Sequence, residues 1–245
     1  LLITHYNRSS SLIRLLKEFK ALNCVFDEII VSDDGSKSVH LEKILSVQKE
    51  FNMRVVTTEK NKGLGNNINK GQDAVKSAYT LYIQEDFIPQ PIFPEKLGYA
   101  LGCMEKREDI DMVRFYSYEK YPYLKPIGEG FSEMIFNPFL WGYKKFYYYS
   151  DHPHLRRSSF FSKFGRYAEG IKSDVTEYRM MLSFLRNKGK SLYYEKYKEL
   201  FDQSNSEEEP STVKRQAWKQ KDNFPTKVIR DIFRYVKFNF NYFRP

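Results

Sequence analysis

Leu1-Leu2-Ile3-Thr4-His5-Tyr6-Asn7-Arg8, Glu28-Ile29-Ile30-Val31-Ser32-Asp33-Asp34-Gly35-Ser36 and Tyr79-Thr80-Leu81-Tyr82-Ile83-Gln84-Glu85-Asp86 are built alike. Each is a short apolar run that ends in polar or acidic residues. Runs of this kind suit strands buried on both faces, and helices on both faces of a sheet go with parallel strands. In an open α/β sheet, ligands sit outside the carboxyl ends of the strands, so three polar strand tips can meet in one crevice.

Outward from these stretches, the pattern predicts strands at 1–6, 27–32, 53–58, 79–84 and 111–116. Leu12, Leu15, Leu16 and Phe19 recur at helical spacing over 9–22, and Leu41, Ile44, Leu45 and Val47 do so over 38–51. Ser9 and Ser38 are the expected N-caps. Alternating strand and helix argue for an α/β fold with a mixed, mainly parallel sheet. Residues 117–170, rich in Tyr, Phe, Pro and Gly, show no clean period and read as a loop-rich region able to hold a second substrate. A helix is expected over 172–187, a short strand over 191–195 that rejoins the sheet, and an exposed linker over 202–225. Over 227–240, apolar and basic residues alternate as in an amphipathic helix. The expected division is 1–116, 117–200 and 201–245.

The chain of 245 residues is long enough to bury a core without cross-links. Cys24 and Cys103 fit no zinc or disulfide pattern, and a cytoplasmic location is the expectation. Aromatic residues make up 17%, with 19 Tyr and 20 Phe, which suits stacking or interfacial work. The net charge is +9, and all of the excess lies downstream: residues 1–110 hold 15 basic and 15 acidic side chains, residues 111–245 hold 25 and 16. A basic half can face anionic lipid, a phosphorylated substrate or nucleic acid.

Asp33 and Asp34 before Gly35 place a carboxylate at a strand tip, able to accept hydrogen bonds from a base or a ribose, although an ordinary Asx-turn has the same look. Asn61-Lys62-Gly63-Leu64-Gly65 enters a helix whose N-terminal N–H groups can hold phosphate, or can simply be capped. Gln84-Glu85-Asp86 offers hard oxygen ligands for Mg2+ or Mn2+, which take one or two carboxylates and complete their shell with substrate phosphate and water. Each of these signals is ambiguous alone.

Their order and spacing resemble the nucleotide-sugar-binding half of the family 2 glycosyltransferases of the GT-A fold, over residues 1 to about 100. The resemblance implies an inverting transfer from a nucleotide-diphosphate sugar, most often UDP-linked, to a glycan or lipid-linked acceptor hydroxyl. It also implies a divalent cofactor, Mn2+ or Mg2+, and a role in bacterial capsule or other surface polysaccharide synthesis. By position, Thr4, Asn7, Arg8, Asp33, Asp34, Lys62, Gly63 and Glu85 fall to the nucleotide and Asp86 to the metal. Gln84 departs from the family's usual acidic residue, and Phe87 stands where another Asp is frequent.

Further along, Asp174-Val175-Thr176-Glu177 looks like the family's acidic segment near the acceptor, with Glu177 the first choice for general base and Asp174 the second; helix-dipole charge is the plain alternative. In Asp151-His152-Pro153-His154-Leu155-Arg156-Arg157, His154 is a candidate metal ligand and Arg156 or Arg157, Arg157 first, a candidate for diphosphate, although histidines in a Pro-containing loop are often plain surface residues. The tail helix suits either peripheral contact with an anionic membrane or packing on the protein itself. A non-catalytic binding protein of the same fold is the main rival. A nucleic-acid binder ranks lower, since no RRM, KH, helix-turn-helix or zinc pattern occurs.

Overall fold

The computed structural model describes residues 1–204, 209 and 224–244. Its centre is a nine-stranded sheet ordered β3-β2-β1-β4-β9-β6-β10-β8-β7. The parallel part is β1 (Leu2–His5), β2 (Ile29–Asp33), β3 (Met53–Val56) and β4 (Tyr79–Gln84), connected by α1 (Ser9–Ala21), α2 (Ser38–Ser46) and α3 (Leu64–Ala74). All four strands and the first two helices lie where the sequence puts them. Alternation divides the strand residues between two cores. Ile3, Val31 and Ile83 pack under α1, α2 and α4 (Phe93–Lys106), whereas Leu2, Ile30 and Tyr82 meet Ile68 of α3 and the aromatic cluster beyond it.

Ser9 and Ser38 are not the N-caps. Arg8 and Lys37 hold those positions, with no side-chain cap, because each helix begins one residue earlier than expected relative to its serine.

The second half extends the same sheet. β6 (Met112–Arg114) lies parallel to β10 (Ser191–Tyr194), which rejoins the sheet as expected, and β7 (Leu124–Gly128) and β8 (Phe131–Met134) form an edge hairpin. A strand unforeseen in the sequence, β9 (His154–Arg157), runs antiparallel between β4 and β6. β5 (Phe87–Pro89) pairs with β11 (Phe201–Gln203), so the stretch read as a linker from 202 begins as a strand. Apart from Ser204 and Glu209, the rest of that linker lies outside the described residues up to α7 (Phe224–Phe243), which contains the expected tail helix. α5 (Phe160–Phe164) and α6 (Ser173–Arg186) complete the aromatic face.

Candidate active site

The motif residues meet at the carboxyl ends of β1, β2 and β4, where they mostly hold one another. Asn7, in the left-handed region at φ 54, donates its N–H to Ser36 Oγ (2.8 Å) and accepts the Lys37 N–H on Oδ1 (2.8 Å), tying the tip of β1 to the turn after β2. His5 Nε2 accepts the Arg8 N–H (3.1 Å), which leaves Nδ1 to donate to Asp33 Oδ1 (2.8 Å). Asp33 also accepts from the Ser36 N–H (3.1 Å) and Thr57 Oγ1 (2.6 Å). Burial opposes its charge, but the bonds from His5, Ser36 and Thr57 hold its carboxyl well below the usual range.

Asp34 accepts the N–H groups of Lys62 (2.8 Å) and Gly63 (2.9 Å), so the entry to α3 is filled by the protein's own carboxylate. Burial raises its pKa in spite of these bonds. Gly35, at φ +67, lies so close to Lys60 that a Cβ would come within 2.4 Å of backbone carbon, and only glycine fits. The Asp33–Asp34 pair thus shapes the loops, and it is fully buried. Thr4, expected at the base, turns inward and shares a hydrogen bond with Tyr82 OH (3.1 Å).

Arg8 lies within 3.3 Å of Asp86 Oδ2 and 3.6 Å of Glu85 Oε1, bracing the acidic end of β4. Burial, with Asp86 alongside, pushes Glu85 up to about 7 despite the opposing pull of His5 and Arg8. Gln203 Nε2 donates to Asp86 Oδ2 (2.9 Å), yet Asp86 Oδ1 is buried with no hydrogen-bond partner among the described residues. An orphaned carboxylate oxygen is costly to bury and suits a cation. No group of three or more His, Cys, Asp or Glu side chains among the described residues is arranged to hold a metal. A divalent ion here fits only as one whose remaining ligands come from diphosphate and water.

Beside this tip opens a cavity of about 380 Å³, within the range of small-molecule sites. Tyr118, Tyr121, Tyr147, Tyr149 and Tyr178 supply aromatic wall, and Arg114, His152, Asp174 and Glu177 supply polar groups. Tyr118 OH donates to Gln203 Oε1 (2.9 Å), so one amide links the cavity wall to Asp86. The Asp151 N–H donates to Glu177 Oε1 (3.2 Å), and the two carboxyls interact. Desolvation, then repulsion from Glu177, drives Asp151 well above the usual carboxyl range. Burial raises Glu177 too, offset by the bonds from Asp151 and by Arg114. Both carboxyls are thus pushed toward the neutral form, Asp151 more strongly than Glu177. Asp174 is exposed at the first turn of α6, where its Oδ1 accepts the Val175 N–H (3.0 Å).

Two expectations in the 151–157 stretch are corrected by β9. Arg157 pairs in register with Tyr79, at the end of β4 opposite Asp86, and its guanidinium donates to the carbonyls of Ile110 (2.9 Å), Met104 (2.6 Å) and Arg107 (3.0 Å). It caps the C-terminus of α4, with its donors spent on these carbonyls. His154, expected at the metal, stacks on Tyr82 inside the sheet with no exposure, its Nδ1 donating to the His152 carbonyl (2.7 Å). The histidine in the cavity is His152, with rings of Tyr118 at 4.6 Å and Phe87 at 6.2 Å and its Nδ1 buried without a hydrogen-bond partner among the described residues. Burial, reinforced by Arg114, lowers its pKa to about 3 and keeps the imidazole neutral.

Sequence reasoning also missed His5, Gln203, Arg114 and Asp151. His5, Asp151 and His152 had a signal, since they lie in stretches that the sequence singled out, whereas Gln203 and Arg114 had none.

Among solved structures, the chain is similar to S. aureus TarS residues 1–349 in complex with UDP-GlcNAc, at 15% identity and TM-score 0.60, covering 86% of this chain and 60% of that one. The same TarS fragment with UDP matches at 16% identity and TM-score 0.57, over 84% and 60%. S. aureus TarS beyond the fragment matches at 15% identity and TM-score 0.58, over 84% and 37%; the chain thus spans three fifths or less of these structures. The architecture is the GT-A fold. No curated protein matches the chain in sequence. The model of glycosyl transferase family 2 matches residues 1–165, about two thirds of the chain, and the protein belongs to that family.

Proposed function

We propose that this protein transfers a sugar, with inversion, from a UDP-linked donor to a hydroxyl of a glycan or lipid-linked acceptor in bacterial surface polysaccharide synthesis. One observation carries the reading: an orphaned carboxylate oxygen on Asp86 stands one amide away from an aromatic cavity lined by the Glu177 carboxyl. Family membership and the likeness to TarS with UDP-GlcNAc support the donor class.

In this reading the acceptor sugar stacks on the cavity tyrosines and presents its hydroxyl to Glu177. As the acceptor oxygen bonds the anomeric carbon, the bond from that carbon to the diphosphate breaks, and the hydroxyl proton passes to Glu177. Arg114 partly offsets the burial that opposes charge on Glu177, and Asp151 beside it is driven further from ionisation than Glu177 is. Asn7, Lys62 and Gly63 form the rim around the nucleotide, while Thr4, Arg8, Asp33, Asp34 and Glu85 hold that rim in shape. A divalent cation, Mn2+ or Mg2+, held by Asp86 with His152 near the same tip, would neutralise the leaving diphosphate as a Lewis acid.

The test is thermal unfolding with UDP, GDP, CMP or TDP, each with Mn2+, Mg2+ or EDTA, on the protein and on Asp86→Ala. At about 100 times its Kd, the right nucleotide stabilises by roughly 2.7 kcal/mol. Metal-dependent stabilisation by UDP that disappears in Asp86→Ala supports the reading; no response to any nucleotide sinks it.

A further inference from the structure

α7 has two apolar faces, and the protein uses one of them. Phe238 packs on Tyr178 (ring centroids 5.2 Å apart) and Phe146 (5.6 Å), and Tyr242 packs on Phe136 (5.2 Å). The Arg186 guanidinium binds carbonyls of the last turn, among them that of Tyr242 (3.1 Å). On the opposite side Ile229, Ile232, Phe233, Val236, Phe240 and Phe243 are each more than half exposed. Phe139 and Trp141, among the most exposed apolar residues described, lie beside them, with Phe139 at 6.1 Å from Phe243 and Trp141 at 5.5 Å from Tyr235.

A helix that serves only to cover its own protein turns polar residues to water, which α7 does not do. A contiguous exposed apolar face marks a surface that another body covers. Charge identifies that body. Lys237 Nζ lies 6.0 Å from the Phe233 ring and the Arg244 guanidinium 5.5 Å from the Phe240 ring, so cations border the apolar stripe. Lys227 is exposed at the start of the helix, and Asp231 is the sole acid in 224–243. An apolar stripe with a cationic edge and neighbouring Trp and Phe matches the headgroup boundary of an anionic bilayer. No helix among the described residues is long and apolar enough to cross a membrane, so α7 lies on the surface.

We infer that the outer face of α7, with Phe139 and Trp141, docks the protein on an anionic membrane. The inner face gives the docking a purpose: Tyr147 and Tyr178, which line the cavity, also touch Phe238, at 6.5 Å and 5.2 Å. Docking therefore holds the cavity wall next to the bilayer, where a lipid-linked acceptor is carried. That last step rests on the proposed function; the docking surface does not.

The experiment is co-sedimentation of the full chain with phosphatidylcholine vesicles, with and without phosphatidylglycerol. The protein should pellet with the anionic vesicles, and Lys227→Glu with Lys237→Glu should weaken this at least roughly 30-fold. Ile229→Ser with Phe233→Ser, at exposed positions that leave the fold intact, should release it from the vesicles while its thermal response to UDP is unchanged. Absence of wild-type binding, or full binding by the serine variant, overturns the inference. So does a wild-type dimer in solution that the serine variant dissolves while lipid binding persists, since a second copy then covers the face. A failed nucleotide response with intact vesicle binding would sink the proposed activity and leave the docking surface standing.

Discussion

The tips of β1, β2 and β4 and the cavity between β6 and α6 divide the candidate site in opposite ways. At the strand tips nearly every recognisable polar side chain is spent on a neighbour: Asp33 on His5, Ser36 and Thr57, Asp34 on Lys62 and Gly63, Asn7 on Ser36 and Lys37. In and beside the cavity, Asp151 Oδ1 and His152 Nδ1 are buried without hydrogen-bond partners among the described residues, and the Asp151 and Glu177 carboxyls interact in a desolvated space. The recognisable residues build a frame, and the reactive potential lies where the sequence is hardest to read. Asp86 is the exception that belongs to both.

The contrast breaks most visibly at Glu177. Glu177→Gln should lower turnover by about 10³-fold, within the range for losing a general base, with donor affinity unchanged in a binding titration. If donor affinity falls instead, Glu177 belongs to the frame. Next comes Asp33→Asn, which should destabilise the fold by about 3 kcal/mol at neutral pH by breaking a buried charged network. The folded pKa of Asp33 is depressed, so its contribution is present above the ordinary carboxyl range and fades as pH falls below about 4. Urea unfolding of wild type and variant should therefore converge in acid, and a constant gap would mean the charge is irrelevant. Arg157→Ala should cost about 2 kcal/mol in the same measurement, from lost charge-assisted bonds to α4, without altering the UDP response. A weakened UDP response would return Arg157 to the donor site. The smallest effect is expected for Asp174→Asn, about twofold or less in turnover, because its exposed carboxylate already accepts the Val175 N–H at the start of α6. A large loss there with Glu177→Gln active would exchange the two roles.

The legible parts of the fold share a physical cause. β1, β2 and β4 are apolar runs because both faces are covered, and α1 shows its period because one stripe is buried. β9 is as central as β4, yet its sequence is His-Leu-Arg-Arg. Its polar side chains are satisfied by residues distant in the chain, Arg156 by Gln72 and Tyr167 and Arg157 by α4, and no local pattern records such partners. The β7–β8 hairpin did leave a mark in Gly128-Glu129-Gly130, all three at positive φ, but its register is irregular there and the flanking strands do not alternate cleanly. In the candidate site, the places of Asp86 and Glu177 in the fold were readable, because strand tips and helix starts are. His152 was displaced by His154 because facing depends on a strand that could not be seen.

The position of β9 also sets an order for biosynthesis. β4 and β6 are parallel to each other, and the strand between them arrives about forty residues after β6. A nascent chain emerging only as far as β6 therefore carries two open strand edges flanking an empty central slot. Such edges are sites for intermolecular pairing. The first 116 residues, which hold most of the recognisable motifs, should be the least soluble fragment of the protein when expressed alone.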